Sequence, residues 1–250
     1  MTHPNDERPT ETIDRRMALG GILRTTMTGL AIGTGLVGCS STPRSTARPM
    51  PDLPTATPIG VVKRTPVSPA TAATTSTTDL PGVLARTSWT TAKPATREMR
   101  RQAPLKNITI HHDGLANPLV SASTAASTAR LDLIRRAHVG QGWADIGYHF
   151  AIDRAGKIWE CRPIGWEGAH VKRHNPGNVG ILVMDNFDIE RPTEKQLRAL
   201  CTHVNMLQRT YRISDASVKS HREWAGAATA CPGKFLQPKV SGLRSRGFRV

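Results

Sequence analysis

The chain carries no His-Glu-x-x-His helix motif, no recognisable nucleic-acid-binding motif and no internal repeat. The first absence argues against the common class of zinc proteases. The second leaves a DNA or RNA reader without support. The third argues against a repeat array. Acidic residues are also scarce, with 19 Asp and Glu against 34 Lys and Arg and a formal net charge of +15. Such a balance favours polyanionic surroundings: acidic lipid, cell-wall polymer or nucleic acid. Long apolar runs are missing too. The uncharged stretch from Thr25 to Gly38 is short and rich in small residues, which suits an export signal better than a membrane span.

That signal reading has particular features. Arg15-Arg16 resemble a twin-arginine motif, and Leu36-Val37-Gly38-Cys39 resembles a lipobox in which Cys39 becomes the lipidated first residue. Arg8, Arg15, Arg16 and Arg24 offset Asp6, Glu7, Glu11 and Asp14, so the net charge resides in the chain beyond the signal. From Ser40 to Thr78 the chain is dominated by Thr, Ser, Pro and Ala, with few large apolar residues to build a core. We therefore read residues 1–38 as a signal, 39–79 as a tether, and 80–250 as one catalytic domain of ordinary size. Export to the cell envelope and a membrane anchor through lipid are the resulting expectations. Ser40 after Cys39 lacks the aspartate-type retention signal of some inner-membrane lipoproteins, which favours an outer membrane where there is one.

Within the domain, Lys106–His112 alternates and predicts a strand. Ser123–Gln141 has helical spacing through Leu131, Ile134 and His138, with Gly140 and Gly142 to stop it. Residues 147–152 predict a strand, 153–156 a turn, and 157–161 the returning hairpin partner. Val179–Met184 is apolar enough for a buried central strand. Thr193 caps a second helix with Gln196 three residues on, and 218–220 is a short strand that delivers His221 to a loop. The fold class is α/β: a single mixed sheet with helices packed on it.

The chemistry sits in three residues far apart in sequence: a strand-end histidine, His221 and Cys231. A thiolate with two imidazoles suits zinc, and three protein ligands leave a fourth tetrahedral position open for catalysis. His111 and His112 compete for the strand position. Alternation puts His111 with Asn107 and Thr109, and His112 with Ile108 and Ile110. That favours His111 at an open cleft and leaves His112 packed or supporting. Cys161 and Cys201 are either a disulfide or two buried thiols.

Five segments then carry a resemblance. They are Ile108-Thr109-Ile110-His111-His112, Asp145-Ile146-Gly147-Tyr148-His149-Phe150, Gly168-Ala169-His170, Asn178-Val179-Gly180-Ile181, and His221-Arg222 with Thr229-Ala230-Cys231-Pro232-Gly233. In this order they resemble the zinc N-acetylmuramoyl-L-alanine amidases, which include phage amidase lysozymes and peptidoglycan recognition proteins. The likeness spans about residues 83–240, with Arg86–Trp89 similar to the family's entry segment. It implies Zn2+ on His111, His221 and Cys231, with Tyr148 as the active-site tyrosine. Thr229 matches a position where some members carry lysine and others threonine. His170 and Asn178 fall in a region that lines the substrate groove. The implied reaction cleaves the amide between N-acetylmuramic acid and L-alanine in peptidoglycan. The alternative is a module of the same fold that binds peptidoglycan without cutting it. The expected partners are peptidoglycan or muropeptides and a membrane through the lipid anchor, with no nucleic acid and a monomeric state.

Overall fold

Alternating Ile and polar residues at 107–112 place a strand whose two faces meet different neighbours. In the computed structural model of the chain, residues 80–249 are described. The expected signal and tether, with Cys39, lie outside the described residues. The strands are β1 (Val83–Leu84), β2 (Asn107–His112), β3 (Phe150–Ile152), β4 (Ile158–Glu160), β5 (Asn178–Val183) and β6 (Val218–Ser220). They form one sheet in the order β1-β4-β3-β5-β2-β6. The β3–β4 hairpin is antiparallel and every other neighbouring pair is parallel, so the sheet is mixed, as the sequence implies.

Helices cover the sheet on both faces, which parallel strands require. Ile108 and Ile110 pack with Val179, Ile181 and Val183 of β5 and with Leu200, Val204 and Leu207 of α2 (Glu194–Tyr211). Val240 of α3 (Gln237–Ser245) joins the same cluster. The opposite core holds Leu131 and Ile134 of α1 (Thr124–Gly140) against Tyr148, Ala151, Trp159 and Leu182. Ser123 caps α1 by accepting from Ala126 N at 3.2 Å. Thr193 and Gln196 form the expected reciprocal capping box on α2. Arg86 and Trp89 tie the entry segment to β4, through Arg86 to the Cys161 carbonyl and Trp89 Nε1 to the Glu160 carbonyl.

One element differs from expectation. The strand predicted over 147–152 becomes regular only at Phe150. Ahead of it the chain is paired irregularly: the Tyr148 and His149 carbonyls accept from Arg162 N and Cys161 N. Gly147 lies so close to the Ala169 carbonyl that a Cβ there would stand 2.3 Å from it. The cysteine question also has an answer. Cys161 and Cys201 are free buried thiols, one in each core.

His203 of α2 is buried edge-on to Phe150, and neither ring nitrogen has a partner among the described residues. Burial alone pulls its pKa down to about 3. A buried donor or acceptor without a partner costs about 1–3 kcal/mol. His203→Leu is therefore expected to stabilise the protein by about 1 kcal/mol or more, read as a higher midpoint of denaturant unfolding at pH 7. A lower midpoint would mean that the imidazole contributes packing that Leu cannot replace.

Candidate metal centre

The parallel register of β2 and β6 builds the centre. Ile110 pairs with Ser220, so the next residues, His111 and His221, stand side by side where the two strands end. Their ring centroids are 4.7 Å apart. The loop from His221 to Cys231 folds back so that Arg222 N donates to the Cys231 carbonyl at 3.1 Å. Trp224 Nε1 donates to Thr109 Oγ1 at 2.8 Å and pins the same loop to β2. Cys231 Sγ thereby lies 3.7 Å from His111 Nδ1. One donor atom from each of His111, His221 and Cys231 falls within 4.8 Å of the others.

The donor set fits a soft divalent cation. Burial, with the neighbouring His221, holds His111 well below the usual histidine range, so its imidazole is neutral and offers a lone pair. Burial also brings His221 down to about 4 and pushes the Cys231 thiol up to about 12. A thiol in this setting needs a metal charge to ionise, and two imidazoles with one thiolate match the preferences of zinc. Cys231 Sγ also accepts from His112 N at 3.4 Å, a donor suited to a thiolate.

His112 points to the other face of β2. Its Nδ1 accepts from Phe187 N at 3.1 Å, and its ring stacks on Phe187. The two neighbouring histidines thus face opposite sides of β2, as the alternation implies, but His111 is buried at 1% exposure rather than open to a cleft. Tyr148 lies against the centre with its ring centroid 5.1 Å from that of His111. Burial and the nearby Cys231 raise its pKa far above the usual phenol range, so the phenol keeps its proton. Thr229 is partly exposed, and its Oγ1 accepts from Cys231 N at 3.1 Å. Its own hydroxyl proton stays available to a ligand.

His170 and Asn178 depart from the expectation that they line a substrate groove. They are only 2% and 0% exposed. The Asn178 side chain accepts from Thr109 Oγ1 at 3.0 Å and donates to the His174 carbonyl at 2.8 Å. His170 sits behind His111, with its Nδ1 3.1 Å from His111 Nε2. Both side chains are spent inside the protein, which explains why neither reaches an open surface. Trp224 was not among the expected site residues. Its only sequence signal is its place between His221 and Cys231.

Known proteins resemble this chain across the segment that carries these residues. The family model described as N-acetylmuramoyl-L-alanine amidase matches residues 101–234. A peptidoglycan-recognition protein of Drosophila melanogaster is 32% identical over 155 residues, covering 62% of this chain and 82% of that protein. The human protein named N-acetylmuramoyl-L-alanine amidase is 28% identical over 163 residues, 62% of this chain but only 27% of its own length. The solved structure of peptidoglycan recognition protein-LE in complex with tracheal cytotoxin aligns with a TM-score of 0.58 at 26% identity, covering 65% of this chain and 94% of that one. A sheet that brings His111, His221 and Cys231 together, inside a segment matched over more than half the chain, places this protein in the N-acetylmuramoyl-L-alanine amidase family.

Proposed function

We propose that the protein is a zinc-dependent amide hydrolase. It separates the stem peptide from peptidoglycan at the bond between the lactyl group of N-acetylmuramic acid and L-alanine. The observation that carries this reading is the convergence of three metal-type donors within 4.8 Å, beside a protonated Tyr148. A relative of the same fold is described in complex with a monomeric diaminopimelic acid-type peptidoglycan, which supports muropeptides as the ligand class.

His111, His221 and Cys231 would hold the metal. Zinc in such a site supplies Lewis-acid polarisation of the carbonyl and lowers the pKa of water. The remaining work belongs to the chain. Tyr148, protonated across the physiological range, donates a hydrogen bond to the carbonyl oxygen as it gains negative charge. The Thr229 hydroxyl is a second donor on the open side. Water adds to the lactyl carbonyl carbon, the C–N bond breaks, and one proton of that water ends on the leaving alanine nitrogen. Tyr148→Phe removes one oxyanion donor while keeping the ring. It should lower kcat by roughly 10²–10³-fold with little change in zinc content. Unchanged kcat would assign the tyrosine to packing.

Export and lipidation at Cys39 complete the proposal. They would put a basic hydrolytic domain beside an anionic wall, on a tether long enough to reach it. Fatty-acid labelling that depends on Cys39 tests that part. Catalysis is separated from mere binding by incubating the full chain with purified sacculi, zinc-loaded or chelator-treated. Release of soluble peptide only by the zinc-loaded protein is the expected result. Sacculus binding without release would instead favour the recognition-module reading.

A further inference from the structure

Behind the metal centre lies a histidine to which the reaction as proposed assigns no role. His170 is 2% exposed, and two glycines lie against its ring. A Cβ on Gly168 would stand 2.5 Å from His170 Cδ2, and one on Gly180 of β5 would stand 2.6 Å from it. Glycine at both positions thus leaves the slot in which this ring sits. The backbone is fixed as well, because His170 N and Val171 N both donate to Asn175 Oδ1, at 2.9 and 2.8 Å. So firm a socket around a polar ring suggests that the direction of its hydrogen bonds matters.

That direction comes from proton accounting. His170 Nε2 lies 3.2 Å from the Asn178 backbone carbonyl, which can only accept. Nε2 therefore carries the hydrogen. Among the described residues no carboxylate hydrogen-bonds to this ring, so a single hydrogen on Nε2 leaves Nδ1 as an acceptor. Its partner at 3.1 Å is His111 Nε2, so that nitrogen must donate. A neutral His111 with hydrogen on Nε2 has its only lone pair on Nδ1. Nδ1 is the atom 3.7 Å from Cys231 Sγ. The carbonyl of Asn178 thus orders two rings in series.

We propose that His170 is a positioning residue that fixes the tautomer and orientation of His111, so that Nδ1 of His111 faces the metal. The inference rests on the zinc reading above and deepens it. Thr109 and Asn178 support the relay from the side: the Thr109 hydroxyl links the Asn178 side chain to Trp224 of the ligand-bearing loop.

The test compares His170→Asn with His170→Leu in the full chain. Asparagine places an acceptor oxygen where Nδ1 stood, whereas leucine fills space without one. Zinc affinity is read by competition with a chromophoric chelator, and metal-free unfolding is followed in parallel. The leucine variant should bind zinc about 10–100-fold more weakly, the usual cost of losing a partner that orients a ligand. The asparagine variant should stay within about threefold of the parent. Gly180→Ala, which pushes the ring from its slot without changing it, should weaken zinc as leucine does. Long-range proton–nitrogen spectra of the zinc-loaded parent should show hydrogen on Nε2 of both His111 and His170. A leucine variant with parental zinc affinity, an asparagine variant as weak as leucine, or hydrogen on Nδ1 of His111 would each overturn the proposal. A parent chain that binds no zinc would remove the metal reading itself, a failure visible before any variant is made.

Discussion

Cys231→Ala is expected to yield a folded protein that retains no zinc and releases no stem peptide. The reason is the composition of the donor set. Cys231 is the only one of the three that can bring negative charge, and among the described residues no carboxylate joins His111, His221 and Cys231 in the cluster. Removing it leaves two neutral imidazoles, and the loss of metal carries the polarisation of the carbonyl with it. Turnover should drop by at least roughly a thousandfold, and zinc content should fall from about one per chain to near zero. The fold should survive. The sulfur accepts one bond, from His112 N, and the loop stays closed through Arg222 N and Trp224. Zinc analysis and far-ultraviolet circular dichroism on one sample decide the matter. A variant with full zinc and full activity would remove Cys231 from the site.

Acid is expected to unfold the metal-free protein steeply. His138, His149 and His203 are buried, with pKa values brought down to about 3, 4 and 3. Burial is the leading cause in each. Buried acceptor roles oppose protonation in two of them: His138 Nδ1 accepts from Gly147 N, and His149 Nδ1 accepts from Gly180 N. In the unfolded chain each titrates near 6.5. Between about pH 6.5 and 4 the unfolded chain therefore holds more protons than the folded one. Stability is complete above that window and is lost as pH falls through it. Three such groups give a slope of up to about 4 kcal/mol per pH unit, against a total stability of about 5–15 kcal/mol. Denaturant titrations in chelator at pH 7, 6, 5 and 4 should show this loss, with a shallower slope for His203→Leu. Unchanged stability between pH 7 and 4 would mean that these rings take up protons in the folded state.

Much of the fold can be read from pattern. The alternation at 107–112 marked β2 and separated His111 from His112, because a buried strand with helices on both sides has two distinct faces. The capping signal at Thr193 and Gln196 marked the start of α2. α3 had no such signal. Gln237–Ser245 contains Pro, Gly and two Ser, and its helix forms because Val240 and Leu243 dock on the core around α2 and β6. Tertiary packing overrides weak propensity there. The candidate donor set was legible because metal chemistry restricts residue types, and the fold brings His111, His221 and Cys231 within 4.8 Å of one another. The true setting of His170 was not. The family resemblance puts it at a groove, whereas Gly168, two residues before it, and Gly180 on β5 leave room for its ring behind His111. Trp224 was missed for a similar reason, since its partner Thr109 lies on β2, more than a hundred residues away.

The central claim is that this chain cuts one particular bond with a zinc ion held by His111, His221 and Cys231. Mass spectrometry of a purified muropeptide after incubation with the zinc-loaded full chain tests it most directly. Two products are expected: an intact disaccharide ending in the free lactyl carboxylate, and a stem peptide with a free L-alanine amino terminus. Their formation should stop with chelator and return with zinc. Recovery of the uncut muropeptide from zinc-loaded protein, or cleavage at any other bond, would contradict the claim.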